Sequence, residues 1–235
     1  MCRNVRFVFL ALALAALASS PIFASTVAFT TLASFQSVTS GLTTENFDAA
    51  IAPLVIPNGG TYGQLKFNYT INGGAGLLEI VNLFPTASSP NYLGSDDPAT
   101  GAFFASDSLT ITLPHPVSAF GLYIVGSGGY LANTFTLNIG LGTAQNSATP
   151  DVVIDTVGDV AYFLGITSTS PFSSATIALS TLGNPGDGPL WNIDDVTAGK
   201  SNSAVPEPGT MLLIGTGLVA VAGRLDKGRK LNRCQ

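Results

Sequence analysis

Between Ser25 and Ala204 apolar and hydroxyl-bearing residues keep alternating, and this period of two restricts the fold more than any other feature. Along Ser108-Leu109-Thr110-Ile111-Thr112-Leu113 the leucines and isoleucine take one face and the hydroxyls the other. Phe120, Leu122 and Ile124 repeat the pattern, as do Phe135, Leu137 and Ile139, then Tyr162, Leu164 and Ile166, then Ala175, Ile177 and Leu179. Such alternation marks strands buried on one face. Turn signals separate the runs: Asn58-Gly59-Gly60, Asn72-Gly73-Gly74, Pro114-His115-Pro116, Gly126-Ser127-Gly128-Gly129 and Asn184-Pro185-Gly186. The pattern predicts strands near residues 27–36, 44–48, 62–71, 76–82, 108–113, 117–125, 134–141, 151–157, 160–167, 174–180 and 191–197. No window shows a helical period with caps. The expected fold class is all-β: an antiparallel two-sheet β-sandwich, most simply a jelly roll.

Charge divides the chain into three. The formal net charge of −5 averages unlike parts. Between Ser25 and Val205 only Lys66 and Lys200 oppose twelve acids, so this stretch carries −10, while the other seven basic residues crowd the two ends. An acidic body with so few cations excludes a nucleic-acid partner, which needs concentrated Lys and Arg. Both cysteines, Cys2 and Cys234, lie in the end segments. The middle therefore depends on burial and ladder hydrogen bonds, not on disulfides.

Arg3 and Arg6 precede an apolar run from Phe7 to Ala18, and a small residue, Ala24, follows Ile22-Phe23. This is the layout of a signal peptide over residues 1–24, read by the secretion machinery. The run is too short to span a bilayer core, which takes roughly 20 residues. The other end reads Val205-Pro206-Glu207-Pro208-Gly209-Thr210, then an uncharged run Met211–Gly223, then Arg224, Lys227, Arg229, Lys230 and Arg233. The prolines lack amide donors and hold their segment extended. As a helix the run would be a short membrane segment, with the basic cluster behind it kept cytoplasmic.

This tail closely resembles the PEP-CTERM sorting signal of Gram-negative bacteria, also known as an ice-binding protein C-terminal domain. Its parts occur in order: the Val-Pro-Glu-Pro box, the hydrophobic segment and the basic cluster, here interrupted by Asp226 and Gly228. The resemblance implies processing by an exosortase, commonly in bacteria that make exopolysaccharide. It implies an inner-membrane-tethered precursor that ends at the cell surface or in the extracellular matrix. The layout expected is a signal peptide at 1–24, a β-sandwich ectodomain at 25–200 and a linker with the box at 201–209. A transmembrane helix at 210–224 and a cytoplasmic tail at 225–235 complete it. More loosely, Glu45-Asn46-Phe47-Asp48, Val117-Ser118-Ala119-Phe120-Gly121 and Trp191-Asn192-Ile193-Asp194-Asp195-Val196 look similar to β-sandwich ectodomains that often precede this signal.

Material for catalysis is sparse. His115 is the sole histidine and is expected in a Pro-flanked turn; no Gly-x-Ser-x-Gly elbow, Walker loop, dinucleotide motif or EF-hand loop occurs. Glycoside hydrolysis would need paired carboxylates, for which Glu45 and Glu79 are the only glutamates of the domain. Terminal strands of a jelly roll lie close together, so Glu45 and Asp48 could meet Asp194 and Asp195 and supply oxygens for a structural Ca2+. The competing reading is four solvated strand-end carboxylates, and Asp96, Asp97 and Asp187 read as surface. Trp191 with Tyr62, Tyr69, Tyr92 and Tyr130 is either core or a sugar-stacking surface, and strand aromatics are more often core.

The function expected is a non-enzymatic surface or matrix protein with a structural, adhesive or glycan-contacting domain, exopolysaccharide being one partner. The alternative is a secreted, glycosidase-like hydrolase carried by the same signal. Literal ice binding would require a regular repeat, and none is found.

Overall fold

The strand that begins at Ser108 does not stop at Pro114. In the computed structural model, which describes residues 24–72, 76–127, 130–155, 158–179 and 190–202, it continues as β8 (Ser108–Ser127), 20 residues long. The expected turn at Pro114-His115-Pro116 is therefore corrected to strand. The two prolines sit where they cost no ladder bond. On one side β5 (Leu65–Thr70) covers β8 only as far as Thr112, and β13 (Asn192–Ser201) takes over from Ala119. On the other side, β12 (Asp159–Leu179) shifts register between Thr167 and Ser174, so residues 113–116 have no pairing partner there either. The same slack admits Pro171 into β12, which the sequence divides into two strands and the structure runs through.

All pairings are antiparallel, and the fold is all-β. Among the described residues thirteen strands join one hydrogen-bonded network, with β10 (Thr143–Gln145), β9 (Phe135–Asn138), β12, β8, β13, β7 (Tyr92–Ser95), β6 (Leu78–Val81) and β3 (Leu54–Ile56) in spatial order. Off this path, β1 (Thr26–Phe29) and β11 (Val152–Val153) pair with β12, β2 (Thr39–Glu45) pairs with β13, and β4 (Thr61–Tyr62) pairs with β5. β3, β7 and β10 escape the sequence reading because they are short.

The expected strand over 27–36 also breaks. After β1 comes α1 (Leu32–Ser37), capped by Thr31, whose Oγ1 accepts from the Ser34 amide at 3.3 Å. A hydroxyl N-cap supplies one of the orphan amides of a helix start, which decides the local structure here. α1 buries Phe35 against Phe29 and Phe163, with ring centroids 5.8 and 5.4 Å away.

The central pair β8/β12 is buried on both faces. Phe120, Leu122, Ile124, Tyr162, Leu164 and Ile166 enter the larger core, whereas Ala119, Tyr123, Val125, Ala161 and Phe163 join Phe35 in a smaller one. Period-two alternation distributes side chains to both faces, so two cores on one ladder require apolar residues at every position. β12 has them from Ala161 to Ile166 apart from Gly165.

Candidate functional site

β13 carries two of the four expected carboxylates, and the ladder brings it to the other two. β2 pairs with β13 with Val196 opposite Glu45, and Asp48 follows three residues on. Between Asp194 and Thr197 the register of β13 against β8 shifts, and Asp195 has φ +50°. Such a bulge re-aims the side chains around it.

Asp194 is fully buried. Its Oδ2 accepts from Thr86 Oγ1 at 2.5 Å and from the Ser88 amide at 2.7 Å; its Oδ1 accepts from the Asp195 amide at 2.8 Å. The Ser88 hydroxyl stands 2.9 Å from Asp195 Oδ1 and 3.2 Å from both Asp194 oxygens, and its one proton serves one of them at a time. Burial pushes the Asp194 carboxyl up to about 7, against the donors from Thr86 and Ser88, which favour the charged form. Asp195 is also raised, first by burial; Ser88 opposes the shift and the charge of Asp48 adds to it.

Asp48 is spent in a similar way. Its Oδ1 accepts from the Asn91 amide at 3.0 Å and its Oδ2 from Asn46 Nδ2 at 2.9 Å, while Asn91 Nδ2 donates to the carbonyls of Phe47 and Ala50. Phe47, buried with φ +63°, is held in the left-handed region, and Glu45 Oε1 accepts from its amide at 3.2 Å. Residues 86–91 form a strap between β6 and β7, tied down by three aspartates.

This arrangement does not suit Ca2+. The cation needs six to eight oxygens turned toward it, whereas the oxygens of Asp194 and Asp48 face N–H and O–H donors. Among the described residues no three His, Cys, Asp or Glu are grouped to hold a metal ion. What the cluster can do chemically is store a proton beside a polar strap. The sequence pattern contained no signal for Thr86, Ser88 or Asn91, whose partners lie up to 108 residues away.

The remaining candidates separate. Trp191 is fully buried, stacked 4.5 Å from Phe103 and donating from Nε1 to the Phe104 carbonyl at 3.0 Å. Tyr92 and Tyr130 are buried, and Tyr62 and Tyr69 pack on the edge of the larger core, so these rings form core and not a stacking surface. Asp96 and Asp97 hold local backbone: Asp96 accepts from the Leu77 amide, and Asp97 from those of Ala99 and Thr100. Asp187 lies outside the described residues. Asp107, which the sequence does not single out, is buried and accepts from the amides of Asn72 and Phe104, both at 2.8 Å.

Glu45 and His115 line one cleft. Over the uncovered interval of β8 opens a cleft of about 600 Å³, walled by β2, the β4–β5 turn and the end of β13. Its polar lining is Thr43, Thr44, Glu45, Gln64, His115 and Lys200, over a floor that includes Leu65, Leu113, Val117 and Val196. Gly63 shapes one wall. Its φ is +56°, and a Cβ there would collide with Glu45 Oε2. Among the described residues Glu45 is the one carboxylate lining the cleft; Glu79 lies on β6, raised by burial and by Asp96.

Among the described residues no helix is long and apolar enough to cross a membrane. The expected signal peptide, Val205, Pro206, Glu207, Pro208, the hydrophobic run and the basic cluster all lie outside the described residues, apart from Ala24 at the end of the first. A protein-family model described as the PEP-CTERM protein-sorting motif matches residues 204–230. The matched stretch contains Val205 to Pro208 and Arg224, Lys227, Arg229 and Lys230, and ends before Arg233. Neither a search of curated proteins nor one of solved structures returns a match. The motif implies an exported protein, processed by an exosortase and sorted to the cell surface.

Proposed function

We infer that this PEP-CTERM-bearing chain is a non-enzymatic surface or matrix protein, whose β-domain makes structural, adhesive or glycan contacts. One observation carries the reading: among the described residues the cleft presents a single carboxylate, Glu45, while Asp48, Asp194 and Asp195 are committed to holding the strap. Glycoside hydrolysis needs two carboxyl groups facing each other across the substrate, so the hydrolase reading has less to build on. The sandwich reading draws support from the two cores on opposite faces of β8/β12 and from the purely antiparallel pairing.

In this reading, residues 1–24 direct export and are removed, and residues 25–200 form the ectodomain. Residues 210–224 tether the precursor to the inner membrane, with 225–235 on the cytoplasmic side. Cleavage in the linker at 201–209 then frees the domain for the surface or the matrix, where exopolysaccharide is a partner. Mass spectrometry of the protein recovered from an exosortase-positive host tests the route. The expected product lacks everything beyond the Pro-Glu-Pro region and begins near Ser25. A chain still ending at Gln235 would refute it. Incubation with oligosaccharides tests the other half, with no release of reducing sugar expected.

A further inference from the structure

The geometry points to the cleft over residues 113–117 as a binding site for a neutral oligosaccharide. The cleft exists because the ladder fails there. β5 ends opposite Thr112 and β13 begins opposite Ala119, which leaves one edge of β8 uncovered between two strands. Pro114 and Pro116 stand two apart, so both withhold an amide from the same edge. A strand-adding peptide would find two amide donors missing from β8 here, and the cleft meets an occupant with the side chains that line it.

Those side chains have capacity to spare. Gln64, His115 and Lys200 make no side-chain hydrogen bond or ion pair among the described residues, and Glu45 uses Oε1 on Phe47 while Oε2 lies against Gly63. Glu45 stands opposite Val196 and Lys200 opposite Ser40. Four residues of strand separate these points, about 13 Å at ~3.3 Å per residue. The trench thus offers a strong acceptor on β2 and a strong donor on β13, and His115 and Gln64 line it as well. A polyol meets both kinds of group with its hydroxyls, and its C–H faces suit the aliphatic floor. A volume of about 600 Å³ is in the range of small-ligand sites. The charge of −10 between Ser25 and Val205 opposes a polyanion, and Lys200 alone does not offset it. A neutral saccharide is the class that fits.

This inference rests on the reading of the domain as a binding module, and the test separates the two. The full chain in detergent is titrated calorimetrically with cellohexaose, xylohexaose and maltohexaose, and with polygalacturonate as the acidic probe. Binding of at least one neutral hexamer is expected. Glu45→Gln and Lys200→Ala should each weaken it by about tenfold or more, the weight of one hydrogen bond to a charged group. Lys66→Ala, on β5 outside the cleft, should leave it unchanged. Unfolding curves of each variant keep a loss of fold from passing as a loss of ligand. Neutral binding that survives both cleft substitutions overturns the site and leaves the binding-module reading standing. Binding confined to polygalacturonate, or none to any probe, overturns the site. Release of reducing sugar overturns the non-enzymatic reading as well.

Discussion

At its N-terminal end β13 buries Asp194 and surrounds it with donors; six residues later the same strand leaves Lys200 exposed at a cleft, with no partner among the described residues. Both ends pair with β8, and β2 runs beside the second of them. The difference lies in what covers them. The strap at 86–91 closes over the first end and holds the carboxylates there with the Thr86 and Ser88 hydroxyls and the Ser88 and Asn91 amides. Among the described residues nothing closes over the second, because β5 stops short and the prolines of β8 discourage a further strand. One strand thus supplies a structural polar core and an open polar surface, and only the second has groups to offer a ligand.

Removing Asp194 should break this contrast most severely. Asp194→Ala leaves the Thr86 hydroxyl and the Ser88 and Asp195 amides unsatisfied, at about 1–3 kcal/mol each. A total loss of about 4 kcal/mol is expected in urea unfolding. The proton on Asp194 gives the next effect. With its pKa raised to about 7 in the fold, against about 4 when unfolded, the native state binds more protons between these values. Stability should then be greatest near pH 4, fall as pH rises through 7, and level off above. The decline is of order a few kcal/mol, and Asp194→Asn should flatten it. A stability that rises over this window would contradict the assignment.

Gly63→Ala should cost about 1–2 kcal/mol for a side chain at positive φ, and should also displace the Glu45 carboxylate and weaken cleft binding. Lys200→Ala, in contrast, should alter stability by under about 0.5 kcal/mol, the usual range for an exposed residue. A large loss there would mean that the second end of β13 is structural too, and the contrast would vanish.

Much of the fold was legible because alternation reports burial directly. Phe120, Leu122, Ile124, Phe135, Leu137, Tyr162 and Leu164 are where the period-two pattern puts them. The pattern could not announce that β8 and β12 are each one strand, since prolines read locally as breaks and their tolerance depends on which neighbours are absent. It also hid α1, whose evidence is one capping hydroxyl and one buried Phe35. The approach of Glu45 and Asp48 to Asp194 and Asp195 could be foreseen from the closeness of terminal strands. Their chemistry could not, because the donors from residues 86–91 are placed by tertiary contacts alone. The sorting tail was the opposite case: its signal is contiguous, and the family match covers residues 204–230 in one stretch.

The pairing of β1 with β12 and of β2 with β13 has a kinetic consequence. Thr26–Phe29 must find Gly165–Ser168, and Thr39–Glu45 must find Val196–Ser201, across more than a hundred intervening residues. Loops of that length close slowly, and domains dominated by such contacts are among the slower folders. A chain crossing a membrane N-terminus first has no partner for its leading strands until nearly the whole domain has followed. The topology itself postpones closure of these two pairings until the last strands of the domain are available.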